Sequence, residues 1–283
     1  MGAAGLIEIK RRIKSVESTR KITKAMGLVA TSKLRKSRKE LTSSEEHYKL
    51  CADIVNDLMG VLPEEFENPY LKSNSKTSDK LYIVMASDTG LCGGFNGNVA
   101  SYLNMAIKDK EKAKIMVVGS KGISYMNRYH FDVIGNYVEI PDIPTIKEIK
   151  AIYQDALYMF KKGDVCEVNI VYTKFISPMK QEVKIDRLLP IDRTKGNSGD
   201  FLIEPSIDDV LNSSLDVYFK SRLRRAMLHS KASEQSCRMT AMNGATQNAD
   251  DILKALKLKF NRIRQTAITQ EISEIVGGAA AQK

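Results

Sequence analysis

Apolar and small residues recur at steps of three and four along two long stretches at opposite ends of the chain. After Pro205 they are Val210, Leu211, Leu215, Tyr218, Ala226, Cys237, Ala241, Ala245, Ile252, Leu256, Phe260, Ile263, Ala267 and Ile275; before Pro63 they are Leu6, Ile9, Ile13, Val16, Ile22, Met26, Val29, Leu34, Leu41, Tyr48, Val55 and Leu58. This spacing, uninterrupted by proline, predicts helices over residues 206–276 and 4–58. At 1.5 Å per residue the later one would extend about 105 Å, whereas a compact globule of this chain length is roughly 50 Å across. Its apolar stripe therefore needs a partner, and an antiparallel coiled coil of the two terminal helices supplies one.

The middle of that predicted seam is not leucine-rich. Heptads counted from Leu6 place Arg20, Thr23, Gly27 and Ala30 inward, and the facing helix offers Ala241, Gly244, Ala245, Gln247 and Asn248. Small residues allow close backbone approach, and polar ones penalise slipped registers. If Leu58 lies level with Ser206, equal rise sets Gly27 near Cys237, Met26 beside Arg238 and Leu6 near Leu258. The second helix then overhangs by about 16 residues, roughly 24 Å. That tip, residues 261–276, turns isoleucines to water unless another chain encloses it.

Between the helices the periodicity changes to short β-rich runs alternating with helical ones. Strands are expected at residues 81–86, 114–118, 133–140, 167–175 and 181–189, and helices at 99–108, 120–129 and 146–161, forming an α/β domain with a largely parallel sheet and an antiparallel edge. The predicted organisation is a coiled-coil helix over 1–60, a polar linker over 61–79, the α/β domain over 80–191, a second linker over 192–205 and a coiled-coil helix over 206–283.

Charge adds a partner class. The net charge is +10, and residues 10–39 carry twelve basic side chains against the single acid Glu17. Like charges this dense repel along a helix, which favours an acidic partner. No run of about 18 apolar residues exists and the N-terminus lacks an apolar signal core, so neither a membrane span nor a secretory signal is expected. Cys51, Cys92, Cys166 and Cys237 form no metal or redox pair, and His47, His130 and His229 stand singly, which fits structural thiols and imidazoles. The glycines at 90, 93, 94 and 97 follow a strand and precede a helix but match neither phosphate-loop pattern; a tight turn or close packing explains them. Asp208-Asp209 and Asp250-Asp251 are adjacent, hence splayed on a helix, and Glu234 with Arg238 reads first as an intrahelical pair. A basic coiled coil could instead bind nucleic acid, though no basic-zipper or stacking pattern and no Trp is present, and an enzyme built on the α/β domain is the other alternative.

Three groups of residues carry a family resemblance. Ala232-Ser233-Glu234-Gln235-Ser236-Cys237-Arg238-Met239-Thr240-Ala241-Met242, Ala245-Thr246-Gln247-Asn248-Ala249 and Arg264-Gln265-Thr266-Ala267-Ile268-Thr269-Gln270-Glu271-Ile272 resemble the C-terminal helix of the F-type ATP synthase gamma subunit. Lys21-Ile22-Thr23-Lys24-Ala25-Met26 with Val29-Ala30-Thr31-Ser32-Lys33-Leu34 resembles that family's N-terminal helix, and Asp88-Thr89-Gly90-Leu91-Cys92-Gly93-Gly94-Phe95-Asn96 with Gly119-Ser120-Lys121-Gly122 its central, Rossmann-like domain. Thr89 departs from the family's usual basic residue. The resemblance implies a non-catalytic rotor shaft without cofactor, present in one copy among F1 alpha and beta subunits, epsilon and the c-ring, peripheral on the cytoplasmic face of the cell membrane. It implies catalytic-subunit contacts at Arg264, Gln265, Thr269, Met26, Glu234 and Arg238, c-ring contacts at Phe201, Ile203 and Glu204, and an epsilon-facing loop of Leu91, Cys92, Gly93, Gly94 and Asn96. The long regulatory insertion of the chloroplast form is missing, so redox control is not expected.

Overall fold

The elements, in a computed structural model, are α1 (Gly2–Val61), β1 (Lys80–Met85), α2 (Phe95–Ala106), β2 (Ala113–Val118), α3 (Ser120–Arg128), β3 (Asp132–Tyr137), α4 (Ile146–Lys162), β4 (Glu167–Ser177), β5 (Lys180–Leu189) and α5 (Ile207–Ala281). The structure describes residues 2–63, 65–72, 77–193 and 203–281, by backbone alone at 2–4 and 279–281. Residues 1–30 with 238–283 form one unit and residues 31–237 another.

In the larger unit the five strands lie in the order β3-β2-β1-β4-β5, all parallel except β5, which runs antiparallel to β4. The expected α/β sheet with an antiparallel edge is what forms. Alternation explains how it is covered on both faces: Leu81, Ile83 and Met85 turn to one core, and Tyr82, Val84 and Ala86 to the other. The first core is closed by Cys51, Val55 and Met59 of α1, by Ile149, Ile152, Tyr153 and Phe160 of α4, and by Leu215, Phe219 and Leu223 of α5. The second is closed by Val99, Ala100 and Leu103 of α2 and Met126 of α3. Helix α4 has firm punctuation: Thr145 and Glu148 make a capping box, and Gly163 ends the helix at φ +83°.

In the smaller unit α1 and α5 pair through a seam of period 3.5. Ile9 and Ala30 are buried, with Ile13, Val16, Arg20 and Thr23 half-buried between them and Gly27 buried. Across from them Met242, Ala249 and Leu253 are buried, followed by half-buried Leu256, Phe260, Ile263 and Ala267. Ile22 and Val29 fall beside this line and are exposed, as is Ile252, which corrects the expected stripe; Leu28 is exposed too. Gly244, Gln247 and Asn248 are also exposed rather than inward. A heptad advances one position less per two turns than a run of fours, so a count that mixes steps drifts off the face.

The register differs from the equal-rise expectation. Thr246 Oγ1 donates to Thr23 Oγ1 at 2.8 Å, and Arg20 Nη1 meets Asp250 Oδ1 at 2.8 Å. A Cβ built on Gly27 would lie 3.1 Å from Asn243 Oδ1 and 3.6 Å from Met242 Cβ. Met26 is therefore level with about residue 243 instead of Arg238, a slip of roughly five residues or about 8 Å. The same slip brings Leu6 level with about residue 264, so half-burial on α5 continues to Ala267 and full exposure begins at Ile268.

Candidate coupling surfaces

Among the described residues nothing covers the tip of α5. Ile268, Ile272, Ile275 and Val276 are all exposed, Ile272 at 55%. Arg264, Gln265 and Thr269 are exposed too; Thr269 Oγ1 donates to the Gln265 carbonyl at 2.9 Å, one turn back along the helix. The apolar positions excluded from the seam continue this surface, with Leu28 at 65% and Leu258 at 73% exposed.

On the larger unit, α1 presents Lys33, Arg35, Lys36, Arg38 and Lys39 to solvent. A groove of about 510 Å³ runs among Thr31, Leu34, Arg35, Arg38, Lys39 and Thr42. Part of this charge is used inside the chain: Lys33 Nζ meets Asp142 Oδ2 at 2.9 Å, and the Arg38 guanidinium lies over the Phe175 ring at 5.8 Å.

Glu234 and Arg238, expected among the partner contacts, are 3% and 7% exposed. Glu234 Oε2 lies 3.6 Å from Lys231 Nζ, which also faces Asp88 Oδ2 at 3.9 Å. Asp88 Oδ1 accepts from Ser120 N at 3.0 Å and from Glu139 N at 3.2 Å. A carboxylate of the chain itself therefore fills the start of α3, where the amides of a helix N-terminus otherwise favour an anion.

The glycine-rich loop is built for packing. Ser87 N donates to Asn96 Oδ1 at 3.0 Å, and Asn96 Nδ2 donates back to Ser87 Oγ at 2.7 Å. Both Asn96 and Cys92 are buried; Leu91, Gly93 and Gly94 are exposed. Leu91 and Gly93 hold φ of 62° and 58°, which turns an apolar side chain outward at a left-handed position. Of the expected c-ring residues, Ile203 is half-buried and Glu204 exposed, while Phe201 lies outside the described residues.

The residues that sequence reading missed sit where α5 crosses β4. Phe175 N donates to His229 Nδ1 at 3.3 Å, so that nitrogen is unprotonated and Nε2 carries the hydrogen shared with Glu45 Oε1 at 2.9 Å. Burial holds the His229 imidazole below its ordinary pKa, against the opposing pull of Glu45. Burial tends to raise the Glu45 carboxyl, but the Arg225 guanidinium at 2.8 Å and His229 overcome it and keep it low. The available signal was Ser230, Ser233 and Ser236, small polar residues at three-residue steps in a segment buried on every side from Ala226 to Ser236.

Burial also pushes the Cys51 and Cys166 thiols up, and all four cysteines are free. Among the described residues no group of His, Cys, Asp or Glu could hold a metal ion, and no helix is long and apolar enough to cross a membrane.

A family model described as ATP synthase matches residues 5–282. The ATP synthase gamma chain of Clostridium beijerinckii is 58% identical over 283 residues, and that of Clostridium botulinum is 56% identical over 284, each covering 100% of both chains. Among solved structures, a chain from Euglena gracilis mitochondrial ATP synthase, OSCP/F1/c-ring, matches with a TM-score of 0.69 at 16% identity, covering 99% of this chain and 95% of that one. One from the central stalk and c-ring of Tetrahymena thermophila mitochondrial ATP synthase matches at 0.59 and 24% identity, covering 79% and 99%. The structural likenesses speak to fold. The full-length identities go further, and by them the chain belongs to the ATP synthase family, among its gamma chains.

Proposed function

We propose that the chain is the central rotor shaft of an F-type ATP synthase, a subunit that carries torque and leaves the chemistry to its partners. The observation that carries this reading is the uncovered apolar surface of the smaller unit: Leu28, Val29, Leu258, Ile268, Ile272 and Ile275 face outward from a seam that is already closed. Apolar surface in that amount calls for an enclosing protein. In this reading alpha and beta chains form the sleeve, and epsilon and the c-ring bind the α/β domain, one copy of the shaft serving the assembly at the cytoplasmic face of the cell membrane.

The mechanism needs only unequal contacts. Three chemically identical catalytic partners meet different sides of one asymmetric rod, so each is biased toward a different nucleotide affinity, and turning the rod moves that bias around the ring. Residues 1–60 and 206–283 are the shaft, 80–191 the foot, and 61–79 and 192–205 the links between them. Arg264, Gln265 and Thr269 contact a catalytic-subunit loop from their exposed positions. Met26 makes a further contact with a catalytic subunit, and Glu234 and Arg238, buried on α5, act on the catalytic subunits through the residues around them. Leu91, Gly93 and Gly94 face epsilon, backed by Cys92 and Asn96; Phe201, Ile203 and Glu204 face the c-ring.

The test is reconstitution with alpha and beta chains of the same source. The three together are expected to form a complex that hydrolyses ATP, with a rate that falls when residues 268–283 are removed. A chain that stays apart from alpha and beta, and leaves their ATP hydrolysis unchanged, would end the proposal.

A further inference from the structure

Strand β1 accompanies β4 only as far as the pair Val84 and Val171, yet β4 runs on to Ser177. Beyond that point no strand among the described residues lies beside the edge of β4 that faces β1, and α5 takes the place. Thr173 N donates to Ser230 Oγ at 3.1 Å, Phe175 N to His229 Nδ1 at 3.3 Å, and Ser233 Oγ donates to the Thr173 carbonyl at 3.0 Å. Thr173, His229, Ser230 and Ser233 are all buried. One turn on, Ser236 Oγ donates to the Pro178 carbonyl at 3.1 Å and receives Gln181 Nε2 at 3.4 Å.

A helix held only by apolar neighbours resists turning through side-chain shape alone, since hydrophobic contact has no preferred direction. Bonds from its side chains to a strand backbone set both its angle and its height, and breaking them leaves buried amides without a partner. We propose that His229, Ser230 and Ser233 are the torque-bearing joint of this chain, positioning residues that lock α5 to the open edge of β4 so that rotation of the α/β domain reaches the helix without slip. The proposal rests on the rotor-shaft reading. Ordinary packing of α5 needs none of these bonds, because Leu215, Phe219, Leu223 and Met227 already fill the core beneath it.

The experiment uses the assembled complex with alpha and beta immobilised and a bead attached to the α/β domain. Ser230→Ala/Ser233→Ala removes the acceptor for Thr173 N and the donor to its carbonyl. Local opening of that edge, read by amide exchange at residues 173 and 175, is expected to rise about fivefold or more. Torsional fluctuation of the bead in a nucleotide-arrested dwell is expected to widen, by roughly twofold in variance, with unloaded ATP hydrolysis within about twofold of wild type. Ser233→Thr keeps the hydroxyl and is expected to retain the wild-type variance; Ser230→Ala alone is expected to fall between. Faster exchange with unchanged torsional variance in both Ser230→Ala and the double variant would make the bonds merely structural and overturn the proposal. A wild-type complex whose bead never rotates on ATP would instead defeat the rotor reading itself.

Discussion

Replacing Gly119 with alanine tests whether the central glycines pack the sheet or cradle a ligand. Gly119 ends β2 at φ +109°, and its N–H donates to the Tyr137 carbonyl at 2.7 Å. A Cβ there would stand 2.5 Å from the Ala86 carbonyl oxygen, 2.7 Å from its carbon and 2.9 Å from the Ser87 carbonyl carbon. These are backbone atoms at the end of a central strand and cannot swing aside. The backbone conformation costs about 1–3 kcal/mol for a residue with a side chain, and the overlap about 1–3 kcal/mol more. The expected loss is therefore ~2–6 kcal/mol, or roughly 4–24 °C in Tm for a unit of this size, read by thermal and denaturant unfolding. Gly122→Ala, whose Cβ would meet Ala86 Cβ at 2.6 Å and Val117 Cγ1 at 2.7 Å, is expected to cost about 1–3 kcal/mol, since neither an alanine Cβ nor a buried valine methyl moves without the backbone that carries it. Gly244→Ala has nothing within 4 Å and lies inside α5, so it is expected to stabilise by about 0.5–1 kcal/mol. If Gly119→Ala unfolded within about 1 kcal/mol of wild type but abolished binding of a nucleotide or phosphate, the packing argument would be wrong.

Three further outcomes follow from the same geometry. Arg20→Asp should lose no more than about 1 kcal/mol, because the Arg20–Asp250 pair is 41% and 35% exposed, and adding Asp250→Arg should recover most of it; no recovery in a double-mutant cycle would contradict the register. Met26→Lys, at a half-buried position, is expected to change stability by less than about 1 kcal/mol while cutting ion pumping per ATP hydrolysed about threefold or more, and equal losses of ATP hydrolysis and pumping would reject the coupling role. His229 has its folded pKa depressed, so it contributes stability that is complete above its ordinary value of about 6.5 and lost as pH falls through the folded value. The Tm difference between about pH 8 and about pH 5.5 should then shrink in His229→Gln, and an unchanged difference would refute the assignment.

The elements were legible because each is written in its own residues. The continuous apolar run from Leu81 to Met85, the capping box at Thr145 and the long proline-free helices are local facts that survive whatever packs against them. The site was less so. Glu234 and Arg238 match a family motif in the sequence, yet nothing within a few residues of them says that both are buried, or that α5 meets the β4–β5 hairpin at Ser236. Leu91 shows the converse, an apolar residue that a left-handed turn sends outward.

By itself the sequence determined the fold class, the two helices and the family, since periodicity, turn chemistry and motif all act between neighbours in the chain. Only the tertiary structure decided which residues of α1 and α5 meet, and that β4 outruns β1 so that His229, Ser230 and Ser233 finish its edge. Such pairings join residues 54 to 230 positions apart, and their alignment depends on the summed fit of two whole surfaces, where a slip of five residues changes every contact and no single residue records it.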